Sequence, residues 1–172
     1  VILFLFSINS NAENNFSKYY SNDLGTLSLM YHRFDENKYP STNIQMEIFK
    51  KQIEIIKKNN LKFYNPNKFE NEFENPKEEK KILITIDDAF SSFYEKAWPY
   101  LKENEIPFIL FVSTKPIGKK GYMTWDQIKE IEKEDFAFIG NHSHSHDYLV
   151  NYKFDKFKND IDYSIKIFND QL

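Results

Sequence analysis

The sequence predicts an α/β protein with a parallel sheet, and three observations carry that reading. Short β-branched and aromatic runs alternate with amphipathic helical patterns, and the segments between successive runs are long enough for crossover connections. Two of the runs also end abruptly in carboxylates or histidines, the groups that collect where parallel strands finish. Such an alternation fits an open sheet or part of a barrel, and 172 residues suffice for one domain with its own core.

The first twelve residues, VILFLFSINSNA, form a short apolar run closed by Ser10 and Ala12, small residues in a cleavage-site pattern. They read as a residual signal peptide over 1–12, too short to span a bilayer, followed by a polar leader loop over 13–25. The first strand is expected over Thr26 to Phe34, TLSLMYHRF, and delivers His32 near its end. Thr42 with Gln45 three residues on is a capping-box pattern, and Met46, Phe49, Ile53 and Ile56 then recur on one helical face. Asn65 to Lys81 is a charged loop or short helix. Ile82 to Asp87, ILITID, is a strand of the kind buried on both faces. Phe93, Ala97 and Leu101 mark a second helix in which Pro99 predicts a kink. Ile106 to Thr114 is an apolar strand, and Thr124 with Gln127 is a second capping box, opening a short helix. Phe136 to Gly140 is the last strand, and Phe154, Phe157, Ile161, Ile165 and Phe168 mark an amphipathic C-terminal helix.

Composition narrows the function classes. The net charge is -3, with 23 basic and 26 acidic residues interspersed, so no basic face tracks a phosphate backbone and nucleic acid is not an expected partner. The chain has no cysteine, which removes disulfides and thiol chemistry.

Chemistry concentrates at two strand ends. Of four histidines, three are His142, His144 and His146, directly behind the last strand; Asp87 and Asp88 stand behind the strand over 82–87. His142 and His146 are four apart, a spacing that points both imidazoles the same way in a helical turn, with His144 facing elsewhere. One carboxylate of the Asp pair completes a two-nitrogen, one-oxygen set that leaves a position open for water, as catalytic rather than structural metal sites do. In extended backbone adjacent aspartates point apart, so one ligates and the other is free to take a proton. Metal binding lowers the pKa of water to about 7, and the implied chemistry is hydrolysis of an amide or ester. Taken alone, an Asp-Asp pair equally suits a helix cap, and a His-rich pentapeptide a surface loop; together, at two strand ends, they favour a metal site. Trp125 reads as a core residue; Tyr31 and His32 stand where a pocket would be lined, and a satisfied buried histidine is an equally good reading of that position.

At these residues the chain resembles the polysaccharide deacetylases that share the NodB homology domain, carbohydrate esterase family 4, and within them the poly-N-acetylglucosamine deacetylase branch. Thr85-Ile86-Asp87-Asp88-Ala89 is similar to the family's Thr-Phe-Asp-Asp-Gly, and His142-Ser143-His144-Ser145-His146 to its His-[Ser/Thr]-x-x-His. The resemblance implies a distorted (β/α)7 barrel, incomplete at the C-terminus, over 26–172. It implies Asp87 as general base, Asp88, His142 and His146 as ligands of one divalent metal, and Ser143 as the residue whose hydrogen bonds fix the histidine loop. Zinc is the expected ion, with nickel, cobalt or iron also suited to these donors. The implied reaction removes N-acetyl groups from an acetylated amino-sugar polysaccharide, in the periplasm, the cell envelope or outside the cell. Ala89 departs from the family's Gly, which costs roughly 1 kcal/mol if that backbone needs a positive φ. The family's later motifs, an Arg-containing segment and a Leu-x-His that supplies the general acid, are absent from these residues. The alternative reading is therefore a carbohydrate- or metal-binding module without turnover.

Overall fold

The computed structural model describes residues 25–69 and 79–172. The reading of 1–12 as a signal peptide, nearly all of the leader loop and most of the charged loop lie outside them.

The fold is α/β with a parallel sheet. Strand β1 (Gly25–Tyr31) is followed by two short strands, β2 (Arg33–Phe34) and β3 (Asn43–Ile44), which pair with each other. Helix α1 (Met46–Lys58), strand β4 (Lys62–Phe63) and strand β5 (Lys80–Asp87) come next. Helix α2 (Trp98–Glu103), strand β6 (Phe108–Val112), helix α3 (Trp125–Glu132), strand β7 (Ala137–Asn141) and helix α4 (Phe154–Gln171) complete the chain. The main sheet runs β1-β5-β6-β7, with β4 paired to the start of β5. Every pairing in it is parallel, so the strands finish at one edge and the loops after them share one face.

Alternation along β5 and β6 sorts the core. Ile82, Ile84 and Ile86 of β5, with Phe108, Leu110 and Val112 of β6, are buried together with Phe49, Ile53 and Ile56 of α1, Leu101 of α2, and Ile128 and Ile131 of α3. The opposite face, at Thr26, Leu83, Ile109 and Phe138, lines an apolar cleft of about 610 Å³. Despite its apolar sequence β1 is largely exposed, with Leu27 and Met30 at 60% and 63%. The pairing of β1 with β5 stops at Tyr31, so the expected continuous strand divides around His32.

Three local expectations are corrected. Helix α1 begins after Gln45, whose side chain makes no cap; the Met46 N–H instead donates to Asp35 Oδ1 at 2.8 Å. Thr42 closes a turn, its N–H donating to the Tyr39 carbonyl. Before Pro99 the chain widens into a π-helical turn over Phe93–Ala97 and then resumes as α2 with the proline in its first turn. Pro99 has no N–H to offer the carbonyl four residues back, and the wide turn absorbs that mismatch. Helix α4 forms as expected but docks differently: Ser164 is its buried residue, Phe168 packs edge-on against Trp125 at 5.8 Å, and Phe154 is 73% exposed. The second capping box forms as read, with Thr124 Oγ1 accepting from the Gln127 N–H and Gln127 Oε1 from the Thr124 N–H.

Candidate metal centre

Strand β5 carries Asp87 and Asp88 to the edge where its neighbours also end. The Asp88 N–H donates to the Phe111 carbonyl at 2.9 Å, and the chain then turns through two left-handed residues, Asp88 (φ 73°) and Ala89 (φ 55°). The backbone is thus not extended through the aspartate pair, and Ala89 does occupy a conformation that glycine adopts at lower cost. The turn is held from outside by Met123, whose N–H donates to the Ala89 carbonyl.

The two carboxylates meet different partners. Asp87 Oδ2 lies 3.9 Å from His32 Nε2, and the Asp87 side chain is 11% exposed. Burial pushes its pKa up from the ordinary value, with the imidazoles of His142 and His32 opposing that shift. Asp88 Oδ1 lies 3.0 Å from His146 Nε2 and 3.7 Å from His142 Nε2. This oxygen is buried, and among the described residues it makes no hydrogen bond.

The histidines reach it without a helix. His142 N–H donates to the Val112 carbonyl and extends the β6–β7 pairing by one residue; Ser143 (φ 70°) and His146 (φ 57°) then reverse the chain. Four side chains lock this loop. Asn141 Oδ1 accepts from the Ser143 N–H and from the Ser164 hydroxyl, both at 2.8 Å, and Ser143 Oγ accepts from the His146 N–H at 3.1 Å. Asp160 of α4 accepts from the His144 N–H at 2.8 Å and from the Ser145 N–H at 3.1 Å. His144 points away from Asp88, its Nδ1 2.8 Å from Thr114 Oγ1 and its ring edge-on to Tyr163. Sequence reading singled out Ser143 in this network and missed Asn141, Asp160 and Ser164. The Asn-x-Ser step at 141–143 is the one local signal that pointed there.

One donor atom each from Asp88, His142 and His146 lies within 4.8 Å of the others. Two ligand atoms on a tetrahedral ion, each about 2.0–2.1 Å from it, are roughly 3.3 Å apart. The 3.0 and 3.7 Å separations bracket that value. A buried carboxylate oxygen without a hydrogen bond, facing two imidazole nitrogens, is the arrangement a cation would satisfy. The residues fit a divalent metal, and a set of two nitrogens and one oxygen leaves a fourth position open.

The fold and this cluster define an α/β protein with a carboxylate–imidazole centre at its strand ends, flanked by a second buried acid. Its residues 74–172 match the family model described as polysaccharide deacetylase, and the chain belongs to that family. It is 26% identical over 156 residues to the poly-beta-1,6-N-acetyl-D-glucosamine N-deacetylase of Staphylococcus epidermidis, covering 80% of this chain and 53% of that protein. With the Staphylococcus aureus (strain N315) enzyme of the same name it shares 27% identity over 111 residues, 61% of this chain and 38% of that one. The chain thus spans about half, or less, of the length of these relatives. Among solved structures, IcaB from Ammonifex degensii superposes with a TM-score of 0.72 at 25% identity, over 81% of this chain and 66% of that one. The Streptococcus pyogenes deacetylase PplD, solved with acetate, also superposes at 0.72, with 23% identity, over 84% of this chain and 68% of that one, and shares the fold.

Proposed function

We propose that this chain carries the metal centre of a hydrolase that removes N-acetyl groups from an acetylated amino-sugar polysaccharide. Asp88, His142 and His146 hold one divalent cation, zinc by the character of the donors, and Asp87 is the general base. The observation that carries the reading is the buried Asp88 Oδ1, without a hydrogen bond, facing two imidazole nitrogens beside a second buried carboxylate. Family membership and the named activity of the staphylococcal relatives support the substrate class. The cation, when bound, supplies Lewis acidity to the acetamide carbonyl and to water in the open position.

The protein's own residues divide the remaining work. Asp87 takes a proton from the attacking water, whose oxygen adds to the acetamide carbon; the C–N bond then breaks as that proton is returned to the leaving nitrogen, releasing acetic acid and the free amine, which ionise to acetate and ammonium at neutral pH. Burial favours the neutral form of Asp87 and so brings its pKa toward the working pH of a base. Ser143 and Asp160 fix the loop on which both histidines stand. The domain reading of 26–172 and an extracytoplasmic location, argued from residues 1–12, belong to the same proposal. Among the described residues no helix is long and apolar enough to cross a membrane.

The test is direct. Purified protein should take up one zinc per chain, and Asp88→Ala, His142→Ala or His146→Ala should abolish that uptake. Asp87→Asn should keep the metal while acetate release from N-acetylglucosamine oligomers falls by roughly two orders of magnitude or more. Uptake undisturbed by all three alanine variants would refute the site.

A further inference from the structure

The loop between β1 and α1 presents an aromatic group that the chemistry at Asp88 does not use. Tyr39 is 54% exposed yet sits at φ 60°, a left-handed conformation that a bulky side chain adopts at a cost. The loop around it is tightly built. Arg33 pairs with Glu36 at 2.9 Å, Glu36 accepts from the Ser92 hydroxyl at 2.7 Å, and Asn43 bonds both the N–H and the carbonyl of Glu36. The Arg33 guanidinium lies between two rings, 4.3 Å from the centroid of Tyr39 and 3.4 Å from that of Phe90. It stacks on the Tyr39 ring, and the residue remains 54% exposed.

This group adjoins the metal centre. Phe90 follows Asp88 by two residues, and its ring lies 4.9 Å from that of Tyr122. Like any tyrosine, Tyr122 is protonated at neutral pH, so its hydroxyl can donate.

We propose that Tyr39, braced by Arg33, is a stacking platform for a neighbouring pyranose ring of the polysaccharide, with the Tyr122 hydroxyl donating to a sugar oxygen between that ring and the reacting unit. This deepens the proposed deacetylase reading and rests on it for the substrate class. The C–H groups on one face of a β-pyranose carry partial positive charge and match the negative face of a phenol ring. A ring already held by Arg33 loses little rotamer freedom on binding, which is how a pre-organised contact gains affinity. Residues of the same loop also line a polar cleft of about 410 Å³, with Asp35, Asn37, Gln45 and Glu47 among them, residue types that can bond sugar hydroxyls. The strained backbone is the feature that simple packing leaves unexplained, since an exposed tyrosine contributes little to the core.

The experiment measures the affinity of the full zinc-loaded chain for a β-linked N-acetylglucosamine tetramer and the monosaccharide by calorimetry, with acetate release followed separately. Tyr39→Gly relieves the left-handed backbone and removes the ring, so the melting temperature should hold or rise while tetramer affinity falls about fivefold to tenfold. Tyr39→Phe should retain the affinity, and Tyr122→Phe should weaken the tetramer more than the monosaccharide. Tetramer affinity unmoved by Tyr39→Gly, or no tetramer binding by the unaltered chain, overturns the platform, whether or not acetate is released. Binding that depends on Tyr39 without any acetate release would instead overturn the deacetylase reading and leave the platform standing.

Discussion

Asp160 makes the sharpest residue-scale case, because it touches no donor atom of the candidate centre and yet receives two backbone N–H groups of the loop that carries the histidines. Asp160→Ala should weaken zinc affinity about tenfold to a hundredfold in a competitive chelator titration, the size of effect expected when a ligand's support is lost. Nothing in the sequence marked this aspartate, one of several acids on a polar helix face; its role exists only once α4 docks on the loop. Asp87, Asp88 and the histidines were legible for the opposite reason, since imidazole is scarce in this chain and both segments stand directly behind apolar strands. A second residue-scale prediction concerns Tyr31, a buried phenol donating to Gln52 Oε1 at 2.7 Å, whose pKa burial raises to about 12. Below pH 10 the phenol is neutral in both the folded and unfolded chain and adds no pH dependence. Between pH 10 and about 12 the unfolded chain loses the proton first, so stability falls as pH rises. Urea midpoints should drop over that window in the unaltered protein and drop less in Tyr31→Phe.

Among the elements, the two capping-box patterns show what a local signal can and cannot decide. Thr124 and Gln127 form their reciprocal bonds because the helix they open starts where the pattern says. Thr42 and Gln45 carry the same pattern, but Met46 finds its acceptor in Asp35, brought there by the β2–β3 loop, and the helix starts later. Thr124→Ala should therefore cost about 1 kcal/mol in urea denaturation and Thr42→Ala no more than a few tenths. The ends of β5, β6 and β7 were legible within a residue or two, while the break after Tyr31 and the short strands β3 and β4 were not; nor was the π-helical turn, because proline announces a mismatch without saying how the chain absorbs it. Helix α4 misled in another way. Its apolar stripe predicts the buried face, yet the face turned to the protein carries Asp160, Ser164 and Phe168 at successive fourth positions, and Phe154, Phe157 and Ile165 stay exposed. At Gly140 of β7 an added methyl would lie 2.5 Å from the Phe111 ring. Gly140→Ala should cost about 1–3 kcal/mol, and pairing it with Phe111→Ala should recover part of that loss in the same assay.

At the scale of the molecule, the α/β class was legible because helical and strand periods alternate, whereas strand order was not, because periodicity says nothing about neighbours. Strand β6 lies between β5 and β7, so the proposed ligands come from strands that never pair with each other. Zinc at a hundredfold excess over its Kd should raise stability by roughly 2.7 kcal/mol, and His146→Ala should remove the gain. The order of strands gives that ion a mechanical role as well. Held by residues 88 and 142–146, it would act as a reversible rivet across the sheet's outlet edge, pinning two distant parts of the chain over the strand that separates them. Amide protons at 142–146 should then exchange with deuterium in minutes without zinc and far more slowly with it, while those in the middle of β5 keep one rate throughout.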